Sequence, residues 1–396
     1  MTILAIALTV LTCLACLVWT SRHVMIWREK RSGFILTEDY PGLEQDPPMI
    51  SVLVAAKDEA ANIEACVRTM LQQDYPNFEM IVCNDRSADD TPAIVERIAR
   101  EDPRLRLVSI EQLPEGWCGK NNAMQTGIAA SRGQWICMTD ADCRQISRRT
   151  LSVAMRYALD TRADMLSVLP VLEMRGFWEN VVQPVCSGLM MVWFHPDSVN
   201  DPTKPHAYAN GAFILMRRSA YEAIGTHEAV KDRVNEDMHM AARVKRAGLN
   251  LRVVRGGGLY KVRMYTSLRQ ILRGWGRIFY GTFCTLRRLT LSLVVLIVMG
   301  LLPYAAAGLG LALAAAEPAG GAWWLACGIA GVAAAAMQIS VIFRFYRLIG
   351  AKPALAWSYP LGSIITMICL FIGMSKLRRG AGITWRGTRY PRPQRQ

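Results

Sequence analysis

Acidic side chains recur in this sequence at one kind of place, directly after a short apolar run. Residues 49–56 lead into Lys57-Asp58-Glu59, residues 78–83 into Asn84-Asp85-Arg86-Ser87, and residues 134–139 into Asp140-Ala141-Asp142. Two carboxylates two residues apart beyond an extended strand can face one ligand. Hard oxygen donors of this kind hold Mg²⁺ or Mn²⁺, usually as one or two carboxylates completed by substrate phosphates. A cation so held neutralises a departing diphosphate. Asn235-Glu236-Asp237 opens a helical stretch that stops at Gly248. Its acids either complement the positive end of the helix or include a general base for an acceptor hydroxyl. Arg269, Arg273 and Arg277 recur at helical spacing along residues 266–283, beside Gln270 and Trp275. They read as headgroup contacts of a helix lying in a membrane interface.

Positioning these residues requires a scaffold, and the pattern around them describes one. Helical stretches at 60–71, 90–100 and 121–130 alternate with the apolar runs, and further strands are expected at 105–110 and 163–168. Asp89-Asp90-Thr91 offers capping side chains to the second helix. Continuous apolar strands separated by helices predict an α/β fold with a mostly parallel sheet and helices on both faces. Ligands of such sheets lie beyond the carboxyl ends of the strands, where the acids are. A dinucleotide site is excluded, since the first turn lacks GxGxxG and Gly256-Gly257-Gly258 come far too late.

Composition adds the surroundings. The 396 residues are 52% hydrophobic and 20% charged, which excludes a disordered chain. A net charge of +14 favours anionic partners. The eleven cysteines and five histidines are scattered, with neither zinc spacing nor the pattern of a disulfide scaffold. Residues 2–20 carry no charge and are long enough to cross a bilayer core of about 30 Å. Arg22, Arg28, Lys30 and Arg31 follow, which predicts an uncleaved anchor with the next segment in the cytoplasm. Residues 289–316, with a kink expected at Pro303, 322–343 and 354–375 form three more apolar blocks.

The expected organisation is therefore an anchor at 1–21, a basic linker at 22–47, a catalytic domain at 48–265, an amphipathic interface helix at 266–288, transmembrane helices at 289–375 and a basic tail at 376–396. Three crossings after a cytoplasmic domain leave the tail outside, yet its seven Lys and Arg and no acid predict inside. One of the three blocks is accordingly expected to re-enter or to lie in the interface. Basic residues cluster beside the spans rather than along a soluble face, so a nucleic-acid partner is not expected.

Taken in order, Asp58, Asn84-Asp85, Asp140-Ala141-Asp142, Glu236-Asp237 and Gln270-Ile271-Leu272-Arg273-Gly274-Trp275 resemble the family 2 inverting glycosyltransferases over about residues 48–285. Three further segments narrow the resemblance: Gly116-Trp117-Cys118-Gly119-Lys120 with Asn122-Ala123, Asn210-Gly211-Ala212-Phe213, and Ile383-Thr384-Trp385-Arg386-Gly387. These look like the hopanoid- and carotenoid-associated branch, relatives of ceramide glucosyltransferase. The resemblance implies a GT-A-type fold. It implies that Asp58 and Asp85 hold the base and ribose of a nucleotide, and that Asp140 and Asp142 hold the metal and diphosphate. Lys120 would face the donor phosphates or sugar, and Asp237 would be the base with Glu236 beside it. Gln270, Arg273 and Trp275 would line the acceptor end and steady the diphosphate. Gly274 is a departure, because polysaccharide synthases have Arg and Trp adjacent there.

The implied activity is transfer of a sugar from a nucleotide-diphosphate sugar to a membrane lipid, in one inverting displacement that depends on Mg²⁺ or Mn²⁺. The implied location is a multi-pass protein of the inner or plasma membrane with a cytoplasmic catalytic domain. The alternatives are a processive polysaccharide synthase and a catalytically idle scaffold that binds nucleotide sugars.

Overall fold

A computed structural model describes residues 1–29, 34–43, 46–316, 321–377, 383–385 and 388–390. The chain divides into a sheet unit of residues 33–173, 191–264 and 380–396 and a helical unit of residues 1–32, 174–190 and 265–379. The continuous domain expected at 48–265 is thus interrupted at 174–190. That segment forms most of the helix Phe177–Trp193, which buries Val181, Val182, Val185, Cys186 and Leu189. Glu179, Asn180 and Gln183 are buried on the same helix, so it carries a polar face as well.

The described strands are β1 Ile35–Thr37, β2 Ile50–Ala56, β3 Phe78–Asp85, β4 Leu105–Ile110, β5 Trp135–Asp140, β6 Cys143–Gln145, β7 Met165–Leu169, β8 Val171–Leu172, β9 Phe213–Arg217, β10 Leu251–Gly257, β11 Tyr260–Val262 and a C-terminal pair, β12 Ile383–Trp385 and β13 Thr388–Tyr390. Eight of them form one sheet in the order β1-β10-β7-β9-β5-β2-β3-β4. All its pairings are parallel except those of β9 with β5 and β7. Strand side chains alternate between faces, and here both alternating sets are apolar. Val52, Val54, Met80, Val82 and Cys137 enter one core, and Leu53, Ile81, Ile136 and Met138 enter the other. Burial on both faces is what makes β2, β3 and β5 continuous apolar runs.

The five expected strands are present within two residues of their predicted ends. The expected linker at 22–47 is not one: the first helix continues to Glu29, and Ile35–Thr37 joins the sheet beside β10 with Leu36 fully buried. Lys30 and Arg31 lie outside the described residues. The second helix, Thr91–Ala99, is not capped by the Asp90 side chain. Asp89 accepts from the Thr91 N–H instead, at 3.0 Å.

In the helical unit, four helices are long and apolar enough to cross a membrane: Thr2–Ile26, Leu286–Ala316, Ala322–Ile349 and Pro353–Lys376. The amphipathic helix runs Leu268–Phe283, with Ile271, Trp275, Phe279 and Phe283 buried at every fourth position and Arg269 and Arg273 exposed. It stops earlier than the expected 288 because Cys284 takes a left-handed conformation (φ 54°) and Thr285 caps the next helix. Pro303 is preceded by a π-helical turn, Leu296–Leu301. Proline has no N–H for the carbonyl four residues back, here that of Met299. The Trp19 indole donates to that carbonyl at 3.1 Å, and the Gln338 amide donates to it as well. A carbonyl kept from water without a partner costs about 1–3 kcal/mol, so donors from two other helices are what make Pro303 tolerable there. Glycines allow the close approach: a Cβ on Gly331 would stand 2.3 Å from Ala307 N, and one on Gly362 would stand 2.2 Å from Val181 O. Of the basic tail, Arg378, Arg379, Arg386, Arg392 and Arg395 lie outside the described residues.

Candidate active site

Strand register brings the acids to one rim. Ala55 of β2 pairs with Asp140 of β5, and Ala56 pairs with Asn84 of β3, so Asp58, Asp85 and Asp140 leave the sheet at nearly one level. Because β9 runs antiparallel, it is its start that reaches this rim, with Thr139 opposite Phe213. Asn210-Gly211-Ala212 therefore stands beside the Asp140 turn. The Ala212 carbonyl accepts from Thr139 Oγ1 (2.8 Å) and Cys143 Sγ (3.3 Å), which ties the two segments together.

Two clusters result. At the ends of β2 and β3, Asp58 and Arg86 adopt left-handed φ values of 53° and 56°, a conformation that non-glycine residues take mainly where surrounding contacts impose it. Asp58 accepts from the Ala88 N–H at 2.8 Å, Lys57 Nζ donates to the carbonyls of Asp85 and Arg86 (3.2 Å each), and Arg86 Nε pairs with Asp85 at 2.8 Å. The second cluster centres on Lys120, in the first turn of the helix Gly119–Ala129. A cation at that end of a helix opposes the macrodipole. Carboxylates compensate, since its Nζ lies 2.6 Å from Asp140 Oδ1 and 2.8 Å from Glu236 Oε1. Burial disfavours the ammonium, but Asp140, Glu236 and Asp237 together hold it well above its ordinary value.

Asp237 lies in the first turn of the helix Glu236–Arg246. Its Oδ2 accepts from the Gly211 N–H at 2.8 Å and its Oδ1 from its neighbour Met238 N–H at 2.7 Å. Burial, and then the charge of Glu236, push its carboxyl up to about 7, against the pull of Lys120 and the two N–H donors. Gly211 has no room to spare: a Cβ there would stand 3.0 Å from Lys120 Nζ and 3.5 Å from Asp237 Oδ2. Asp142, in the turn between β5 and β6, is likewise pushed up to about 7 by burial and by repulsion from Asp140 and Glu59. Among the described residues no three His, Cys, Asp or Glu side chains gather as a metal-binding group. Two crowded carboxylates are the available donors, and repulsion of this kind is what a hard cation completed by diphosphate oxygens relieves.

The sequence marked Asn210-Gly211 without a role and missed Asn121. Asn121 Nδ2 lies within 3.1 Å of the carbonyls of Val230, Lys231 and Arg233. From the helix that carries Lys120, it thereby holds the segment that delivers Glu236 and Asp237. Gln270, Arg273 and Trp275 lie in the helical unit. The Gln270 carbonyl oxygen accepts from the Thr266 N–H and hydroxyl as part of the helix cap. Trp275 is buried against Phe279, at 5.4 Å between ring centroids. Arg273 alone of the three is exposed without a hydrogen-bond or ion-pair partner among the described residues. Gly274 has a packing reason, since a Cβ there would lie 2.1 Å from the Tyr265 ring.

Residues 51–225 match the family model Glycosyl transferase family 2. The succinoglycan biosynthesis protein ExoO of Rhizobium meliloti is 37% identical over 95 residues, 24% of this chain and 26% of that protein. The beta-monoglucosyldiacylglycerol synthase of Trichormus variabilis is 25% identical over 201 residues, 50% of this chain and 41% of that protein. Each match thus spans less than half of the relative's own length. Among solved structures, the mannosyltransferase PcManGT from Pyrobaculum calidifontis, in complex with GDP-Man and Mn²⁺, is similar with a TM-score of 0.53 and 19% identity. That likeness covers 93% of this chain and 98% of that one, and it is a likeness of fold. This chain thus has a GT-A-like α/β fold, and its match to the family 2 glycosyltransferases lies over residues 51–225, the part that carries the acidic strand ends.

Proposed function

We propose that the chain transfers a sugar from a nucleotide-diphosphate sugar to a lipid at the membrane surface, inverting the anomeric centre in a single displacement. The observation that carries this reading is Asp237, a half-buried carboxylate held by two backbone N–H groups and poised near neutrality beside Glu236 and Lys120. A general base works best with a value near the operating pH. Asp237 takes the proton of the acceptor hydroxyl as that oxygen attacks C1 from the face opposite the leaving diphosphate. Asp58 and Asp85, at the other end of the rim, hold the nucleotide's base and ribose. Lys120 gives its charge to the donor phosphates or sugar. Asp140 and Asp142 suit Mg²⁺ or Mn²⁺, which when bound supplies charge neutralisation on the diphosphate.

The four apolar helices support a lipid acceptor, and one relative is named as a beta-monoglucosyldiacylglycerol synthase. The helix Tyr359–Lys376 is the one we assign to the interface rather than to a crossing. It packs against the amphipathic helix, where a Cβ on Gly276 would meet Ile372 at 2.6 Å, and against the 177–190 segment at Gly362. Three crossings then return the basic tail to the catalytic side, in accord with its charge.

The test is to incubate membranes with a panel of radiolabelled nucleotide sugars and extract with organic solvent. One labelled sugar per lipid is expected. Label confined to a long polymer would favour a polysaccharide synthase and overturn the lipid assignment.

A further inference from the structure

A groove of about 1070 Å³ runs along the helix Ala322–Ile349, with Ala336, Ile339, Ser340, Phe343, Arg344 and Arg347 in its wall. Arg344 and Arg347 stand one turn apart on one face, both exposed, and neither forms an ion pair among the described residues. The helix contains no acid along its 28 residues. That length is about 42 Å at 1.5 Å per residue, enough to reach through both headgroup layers. The two arginines lie in its last two turns, at headgroup level.

Depth can be cross-checked against the first helix. Trp19 and Gln338 donate to the same Met299 carbonyl and so share a level. Arg344 lies six residues beyond Gln338, about 9 Å, and His23 lies four beyond Trp19, within electrostatic reach of Arg344. Arg22 from one helix and Arg344 and Arg347 from another thus put cations at one end of the bundle. Below them the groove wall is Phe343, Ile339 and Ala336, all apolar. A cationic mouth over an apolar slot is complementary to a phosphate that carries an acyl chain.

We propose that this groove binds an anionic phospholipid, with the phosphate between Arg344 and Arg347 and one acyl chain along Phe343, Ile339 and Ala336. The site is separate from the sugar-transfer chemistry and rests only on the membrane-spanning reading above.

The full chain is reconstituted in nanodiscs of equal phosphatidylcholine and phosphatidylglycerol, and native mass spectrometry counts the lipids it retains. Two basic contacts at a surface predict enrichment of phosphatidylglycerol by about thirtyfold. Arg344→Gln with Arg347→Gln is expected to abolish the preference, while the Lys pair at the same positions keeps most of it. Arg287→Gln with Arg288→Gln removes equal charge elsewhere and is expected to leave it intact. Millimolar inorganic phosphate is expected not to displace the lipid. Equal retention of both lipids by the wild type, an equal loss in the 287/288 pair, or displacement by free phosphate would overturn the assignment. If alkaline carbonate strips the chain from membranes, the membrane-spanning reading fails and the groove with it. A chain that stays in the membrane without lipid preference sinks the groove alone.

Discussion

Replacing Asp237 with Asn tests the catalytic assignment with little change of shape. Both carboxylate oxygens accept a backbone N–H, from Gly211 at 2.8 Å and Met238 at 2.7 Å. Asparagine has one acceptor oxygen, so one N–H is left facing an NH₂ group, at about 1–3 kcal/mol. Loss of a general base removes about 10²–10⁴ in rate, or about 3–5 kcal/mol of barrier. The chemical loss therefore exceeds the structural one, and transfer should fall at least a hundredfold. Nucleotide binding, proposed at the other end of the rim, should change little.

The wild type should also show an acid limb in kcat/KM, falling about tenfold per unit below the value of about 7 to which burial and Glu236 raise Asp237 against the pull of Lys120 and the two N–H donors. The residual activity of the variant should lack it. Folding raises this carboxyl, so its ionisation weakens the fold as pH climbs from about 4 to 7. The Asn variant should accordingly melt no lower than the wild type at alkaline pH, despite the lost hydrogen bond. Turnover measured by lipid extraction, with nucleotide diphosphate titrated in parallel, decides the matter. Transfer within threefold of wild type, with the acid limb intact, would refute the assignment.

Lys120→Gln leaves Asp140 and Glu236 facing each other without the ammonium, 2.6 Å and 2.8 Å from their former partner. Breaking such a buried pair is worth about 3–5 kcal/mol, so a lower melting midpoint and at least a tenfold loss in donor affinity are expected by titration. Chelation with EDTA should stop transfer, Mg²⁺ or Mn²⁺ should restore it, and Asp142→Asn should raise the metal concentration needed for half-maximal rate. Gly274→Ala drives a methyl into the Tyr265 ring and should destabilise by about 1–3 kcal/mol, read as a melting shift. In a Tyr265→Ala background the same change should cost nothing further. Trp19→Phe removes one of two donors to Met299 and should lower stability in detergent by about 0.6–2 kcal/mol.

The acidic strand ends were legible because burial on both faces turns β2, β3 and β5 into unbroken apolar runs, and the first polar residue after such a run marks the rim. The antiparallel β9 was not legible. Its five residues, Phe213–Arg217, carry no sign of direction, yet direction is what brings Gly211 to Asp237. Lys120 is conspicuous in retrospect as a cation at the positive end of a helix, a local conflict that only distant carboxylates resolve. Asn121 resembles any polar residue on a helix, because its three carbonyl partners lie more than a hundred residues away. The first helix outran its expected end because helix propensity continues past the apolar stretch, and sequence polarity marks the membrane boundary rather than the helix boundary. Gln270 and Trp275 lost part of their expected freedom to capping and packing, which leaves Arg273 as the free member of that motif.

The hydrogen bond from Trp19 to Met299 joins residues 280 positions apart. At a synthesis rate of about 5–20 residues per second, the first helix waits about 15–60 s after it emerges before its partner exists. During that interval, on the membrane-spanning proposal, it stands in the bilayer alone, with an indole N–H prepared for a carbonyl not yet made. Gln338 arrives 39 residues after Met299 and completes the junction. The N-terminal helix is therefore more than a tether, for which any apolar segment would serve. It works as a keystone set in place first and loaded last, and exchanging it for a generic anchor should leave the chain inserted but its bundle unlocked.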